Sequence, residues 1–138
     1  MAAKGDHAAR RRRSLNAAAL APKIAPYESE ECIALVAWME ARCIVFCHIP
    51  NESKRPEAQA KHLKAMGLMP GFPDYLVFTT PPREPDRHGV AIEMKRSIGG
   101  KLEPNQLAWL KTLASLNWVP LCCAGVDEAI ADLQALGY

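Results

Sequence analysis

Glu93 and Lys95 stand two residues apart in the run Val90-Ala91-Ile92-Glu93-Met94-Lys95, otherwise apolar and strand-like. In a strand the side chains alternate between faces, so the carboxylate and the ammonium point the same way. A structural ion pair at a strand end is one explanation for two charges there. Asp74 offers another. It opens an earlier strand-like run, Tyr75 to Thr80, and the loop Pro81 to Gly89 joins the two runs as a hairpin. Antiparallel pairing would bring the start of the first strand beside the end of the second, and so Asp74 beside Glu93 and Lys95. Two carboxylates, with the Met94 backbone carbonyl, are the hard oxygen donors that Mg²⁺ takes, waters filling the remaining positions. A cation so held polarises a phosphate and activates water, while a nearby lysine orients that water or neutralises developing charge. That division of labour fits hydrolysis of a phosphodiester.

Around these residues the chain reads as alternating helices and strands. Ser29 is placed to cap a helix, with Glu30 and Glu31 in its first turn, running to about Arg42. Ile44 to Ile49 is a buried strand ended by Pro50 and Asn51. A helix opens after Pro56 and stops at Gly67. The turn Gly67-Leu68-Met69-Pro70-Gly71-Phe72-Pro73 then introduces Asp74. After the hairpin, Gly99-Gly100 breaks the chain and Glu103 to Gln106 start a helix with Leu107, Leu110, Leu113 and Leu116 spaced three apart. Trp118 to Cys123 is a last strand and Val126 to Leu136 a closing helix. The order α-β-α-β-β-α-β-α predicts an α/β fold, a central mixed sheet of about four strands flanked by helices.

The 138 residues amount to one domain. Residues 1–26 read as a flexible basic arm, and 27–138 as the folded domain. Residues 1–13 hold five basic side chains, Arg10 to Arg13 among them, against Asp6; they sum to +4, which leaves −2 for the rest of a chain of net charge +2. A nucleic-acid partner would therefore be held by the arm, by a local basic patch or through cations. No stretch approaches the roughly 20 apolar residues of a membrane helix. The five cysteines, odd in number and mostly in apolar runs, read as buried thiols in a reducing compartment. The four histidines lack zinc-ligand spacing relative to them.

Pro73-Asp74, 18 intervening residues, then Glu93-Met94-Lys95 resembles the PD-(D/E)xK nuclease superfamily. Gly67 to Asp74, Ile92 to Arg96, Gly100 to Gln106 and Trp109-Leu110 resemble its VRR-NUC branch, over roughly residues 28–125. The resemblance implies a restriction-endonuclease-like core and Mg²⁺- or Mn²⁺-dependent cleavage, with Asp74 and Glu93 as metal ligands and Lys95 as catalytic lysine. Gln106 matches the glutamine of a helix packed over the site. An acidic residue of the first helix is expected to join the metal, Glu30 before Glu31. Short members of the branch resemble homodimeric endonucleases of branched DNA such as Holliday junctions, which points to an intracellular, cytoplasmic protein of bacterial or phage origin. A flap- or end-directed nuclease, a non-catalytic nucleic-acid-binding module, and a small α/β protein whose E-x-K is only an ion pair are the alternatives. Asn51, in a segment similar to the family's pattern, could contact a phosphate or a cation's water, or simply form a turn. Lys54, Arg55, Lys61, Lys64, Arg96 and Lys101 flank the site and are candidate phosphate contacts.

Overall fold

The structure is a computed structural model that describes residues 27–51 and 55–138. The basic arm, Arg10 to Arg13 included, and Lys54 lie outside the described residues. The elements within them are α1 (Glu28–Glu40), β1 (Phe46–His48), α2 (Glu57–Ala65), β2 (Tyr75–Val77), β3 (Val90–Lys95), α3 (Pro104–Ser115), β4 (Val119–Ala124) and α4 (Val126–Ala135). The strands lie in the order β1-β2-β3-β4. The first three are mutually antiparallel and β4 runs parallel to β3. This is the mixed four-stranded α/β sheet that the sequence predicts, with helices on its faces.

The two faces of β3 divide the molecule. Val90, Ile92 and Met94 are fully buried, together with Tyr75 and Val77 of β2, against Leu35 and Met39 of α1 and Ala129 and Leu133 of α4. Each large aliphatic side chain so buried contributes about 1.5–3 kcal/mol. Ala91, Glu93 and Lys95 alternate to the other face, on which α3 packs through Leu110 and Leu113. Pro120 sits within β4, a position open to proline because β4 is an edge strand of the sheet.

Helix α1 begins earlier than expected. Its N-cap is Tyr27, whose backbone N–H donates to the Glu30 carboxylate at 3.1 Å, so Ser29 is inside the first turn and not the cap. The strands β1 and β2 are shorter than their apolar runs. Beyond Val77, Phe78 and Thr79 both donate to the Val45 carbonyl and the Thr79 hydroxyl accepts from Val45 N–H, which ends the regular ladder. Helix α2 buries none of its side chains.

Candidate active site

The register Tyr75↔Ile92 places Asp74, one residue before β2, across from Glu93. Asp74 is buried, and its Oδ2 accepts a 2.7 Å hydrogen bond from Met94 N–H. The carboxylate thereby satisfies a strand amide that lies beyond the end of β2. Lys95 carbonyl bonds to Gly125 N–H on the β4 side. Strand geometry turns the neighbouring Met94 the opposite way, so its N–H and its carbonyl both open toward Asp74. Glu93 is essentially fully buried, and Lys95 Nζ lies 2.7 Å from its Oε1. A carboxylate at such depth is tolerated only with a charge or hydrogen-bond partner.

Two further elements hold this corner. Gly71 has φ +78° and packs so tightly that a Cβ there would lie 2.7 Å from Asn105 Cβ and 2.9 Å from Gln106 N. The turn before Asp74 and the first turn of α3 are thus in contact through a glycine, and Phe72 meets Trp109 edge-on at 4.9 Å. Asn51 braces the same turn, its Nδ2 donating to Met69 carbonyl at 2.7 Å and to Phe72 carbonyl at 3.5 Å. Gln106 is buried, and its Oε1 accepts from Glu103 N–H at 2.9 Å. What the amide can offer to other groups is therefore its NH₂ donor.

Cys122, across from Glu93 on β4, senses the charges gathered here. Burial first, then the negative charges of Glu93, Glu128 and Asp74, push its thiol up, while Lys95 pulls the other way.

The VRR-NUC domain model matches residues 26–128. The chain belongs to the VRR-NUC family. This is a nuclease family. A solved structure described as a VRR_NUC domain protein has the same fold: TM-score 0.69 at 21% identity, over 83% of this chain and 90% of that one. No curated protein matches the chain.

Within this VRR-NUC domain, the acidic residue expected from the first helix needs correcting. Glu30 is exposed and caps its own helix, so the structure does not bring it to Asp74. Glu31 is buried, but its Oε2 accepts from Val126 N–H at the start of α4 and sits where a Gly125 Cβ would go. A carboxylate there stabilises the helix N-terminus and ties α1 to α4. The first-helix acid that shares a cleft with Asp74 is Glu28, which sequence reading missed. Its signal was helical spacing: Glu28, Cys32 and Val36 form one stripe once the helix starts at Tyr27.

The basic residues divide by location. Arg55, Lys61 and Lys64 line a groove of about 290 Å³ together with Asn51. Arg55 donates to Pro50 carbonyl at 2.9 Å, and Lys61 pairs with Glu57 on its own helix at 3.0 Å. Arg96 and Lys101 are exposed on the segment that follows Lys95. The thiols also differ from expectation. All five are unbridged, but only Cys123 is buried, while Cys43, Cys47 and Cys122 are exposed.

Among the described residues no three acidic, histidine or cysteine side chains converge into a ready metal cluster. Asp74, Glu93 and the Met94 carbonyl offer oxygen donors only. That set fits Mg²⁺ or Mn²⁺, which keep several waters, and does not fit a thiophilic ion.

Proposed function

We propose that this chain is a Mg²⁺-dependent DNA endonuclease of the PD-(D/E)xK type, acting on branched DNA as a homodimer. The observation that carries the reading is one corner of the sheet, where Asp74 reaches Met94 N–H and Lys95 reaches Glu93 beneath a helix bearing Gln106. Asp74, Glu93 and the Met94 carbonyl would hold the cation, and Mn²⁺ would substitute for it. When bound, the cation supplies Lewis-acid polarisation of the scissile phosphate and of the attacking water.

The chain's own residues do the rest. Asp74, fixed through Met94, sets where the phosphate sits relative to β3. Lys95 is anchored by Glu93 with 12% of its side chain exposed, so its ammonium is shielded yet within reach of solvent. From there it orients the attacking water and stabilises charge developing on the phosphate oxygens. The Gln106 NH₂ donates to the phosphate or to the water. Arg55, Lys61 and Lys64, with Arg96 and Lys101, contact flanking phosphates without reading sequence. A dimer follows from the chemistry of symmetric cleavage, since one domain carries one site and two strands must be cut. Exposed thiols on Cys43, Cys47 and Cys122 suit a reducing cytoplasm. No helix among the described residues is long and apolar enough to cross a membrane.

The test is cleavage of a labelled four-way junction and a matched linear duplex with Mg²⁺, Mn²⁺ or EDTA. Paired metal-dependent nicks across the junction, with the duplex spared, are expected. Cutting of both substrates, or of flaps and ends in preference, keeps the nuclease and discards junction specificity. Binding without cutting under any metal would make the domain a nucleic-acid-binding module.

A further inference from the structure

The turn that delivers Asp74 is poorly equipped to hold itself. In Gly67-Leu68-Met69-Pro70-Gly71-Phe72-Pro73 the two prolines have no N–H, and Gly67 and Gly71 stand at positive φ, +98° and +78°. The backbone bond across it, Phe72 N–H to Met69 carbonyl, is long at 3.4 Å. The helix that leads into it gives little support, since among the described residues no other helix or strand packs against α2. Such a segment keeps its conformational freedom unless something outside it supplies the bonds.

Asn51 supplies them from the chain after β1. A carbonyl only accepts, so the amide presents its NH₂ to the Met69 and Phe72 carbonyls, 2.7 and 3.5 Å away. Two residues beyond Phe72, the Asp74 carbonyl accepts from Ile49 N–H at 2.8 Å. The main chain on both sides of Pro73 is thus tied to the segment Ile49–Asn51, and from it the Asp74 carboxylate reaches Met94 N–H. The same geometry speaks against a phosphate contact. Asn51 does border the groove lined by Arg55, Lys61 and Lys64. A phosphate needs donors, however, and both NH₂ hydrogens already face main-chain carbonyls, which leaves only Oδ1, an acceptor. Turning the amide to DNA would release the turn.

We propose that Asn51 is a positioning residue of the cation site: through the turn it sets the Asp74 carboxylate relative to Glu93, and it does not hold DNA. The inference rests on the nuclease reading, with Asp74 and Glu93 as cation ligands. Mg²⁺ demands near-ideal octahedral geometry, so a carboxylate on a loosened turn binds it less well. Groups that orient metal ligands without touching the metal are worth about 10–100-fold in affinity or activity. Asn51 acts through the main chain of the turn, which puts its effect at the lower end of that range. The Asn51–Met69 bond is exposed, so water can take the amide's place there and the fold survives its loss.

The experiment compares the full chain as wild type, as Asn51→Leu, which keeps the size of the side chain without its donor, and as Asn51→His, whose ring N–H restores one. Mn²⁺ binding is followed by electron paramagnetic resonance without DNA, junction binding in EDTA by fluorescence anisotropy, and folding by thermal melting. Asn51→Leu is expected to melt cooperatively, to bind DNA as wild type does and to bind Mn²⁺ about tenfold more weakly. Asn51→His is expected to recover most of the Mn²⁺ affinity. Unchanged Mn²⁺ affinity with weaker DNA binding would make Asn51 a phosphate contact and overturn the proposal while the cation site stands. Mn²⁺ affinity lost alike in both variants would overturn it as well, since the N–H would not be the cause. Wild type that binds no Mn²⁺ would overturn the cation site and the proposal together.

Discussion

Lys95 and Lys64 are the same residue in opposite surroundings. Lys95 ends a central strand, is mostly buried and is fixed 2.7 Å from a fully buried glutamate. Lys64 lies exposed on α2, a helix with no buried side chain, in a groove shared with Arg55 and Lys61. The hairpin side chains are each determined several times over, by register, by burial and by the Asp74–Met94 hydrogen bond. The α2 side chains are determined only by which surface they stand on. Chemistry that needs a fixed distance belongs to the first region. Attraction that needs only charge belongs to the second, where any one lysine is dispensable.

The contrast predicts large losses at the hairpin and small, salt-sensitive ones at α2. Glu93→Gln should reduce single-turnover cleavage on the order of 10³-fold, since a Lewis-acid site is worth several kcal/mol, while DNA binding survives. A variant that cuts within tenfold of wild type would dissolve the distinction. Lys95→Met should lower cleavage by about 10²–10⁴-fold. It should also lower the thermal midpoint, because Glu93 loses the ammonium beside it, a change that costs about 3–5 kcal/mol in comparable buried pairs. Added Mg²⁺ should recover part of that stability, as binding to the folded state does. An unchanged midpoint in differential scanning calorimetry would mean the pair is not coupled to folding.

Much of the hairpin was legible because its signals are local and periodic. Glu93 and Lys95 share a face by alternation alone, and Asp74 joins them because the two strands are consecutive and antiparallel. Residues whose role depends on a distant partner were not legible. Asn51 read as a contact to a phosphate or a cation's water, or as a turn residue after Pro50, yet its amide clamps carbonyls 18 and 21 residues away. Glu28 was passed over because Ser29 has a better capping side chain than Tyr27, and a shift of two residues changes which acid faces the cleft. Cysteines in apolar runs looked buried, but β1 and β4 are edge strands that leave positions open, and Cys47 and Cys122 fall on them.

Two smaller effects sharpen the boundary between the regions. Gly71→Ala requires a strained positive φ and a contact of 2.7 Å with Asn105, so stability should fall by about 1–3 kcal/mol in urea unfolding. Cleavage should fall with it, because the turn that carries Asp74 must move off α3. Normal cleavage in a destabilised variant would show that the turn does not position the acid. Replacing Lys61 and Lys64 by glutamine should weaken binding to all DNA alike and reduce the salt dependence of affinity by about one unit of slope per lost contact. An unchanged slope would remove α2 from the interface.

The most direct test of the central claim is Mn²⁺ binding, followed by electron paramagnetic resonance, to wild type and to Asp74→Asn without DNA. If Asp74 and Glu93 form one cation site, wild type binds Mn²⁺ saturably and the variant binds at least about tenfold more weakly while melting cooperatively. Equal affinity in the two proteins would place the cation elsewhere and contradict the assignment of this corner as the catalytic centre.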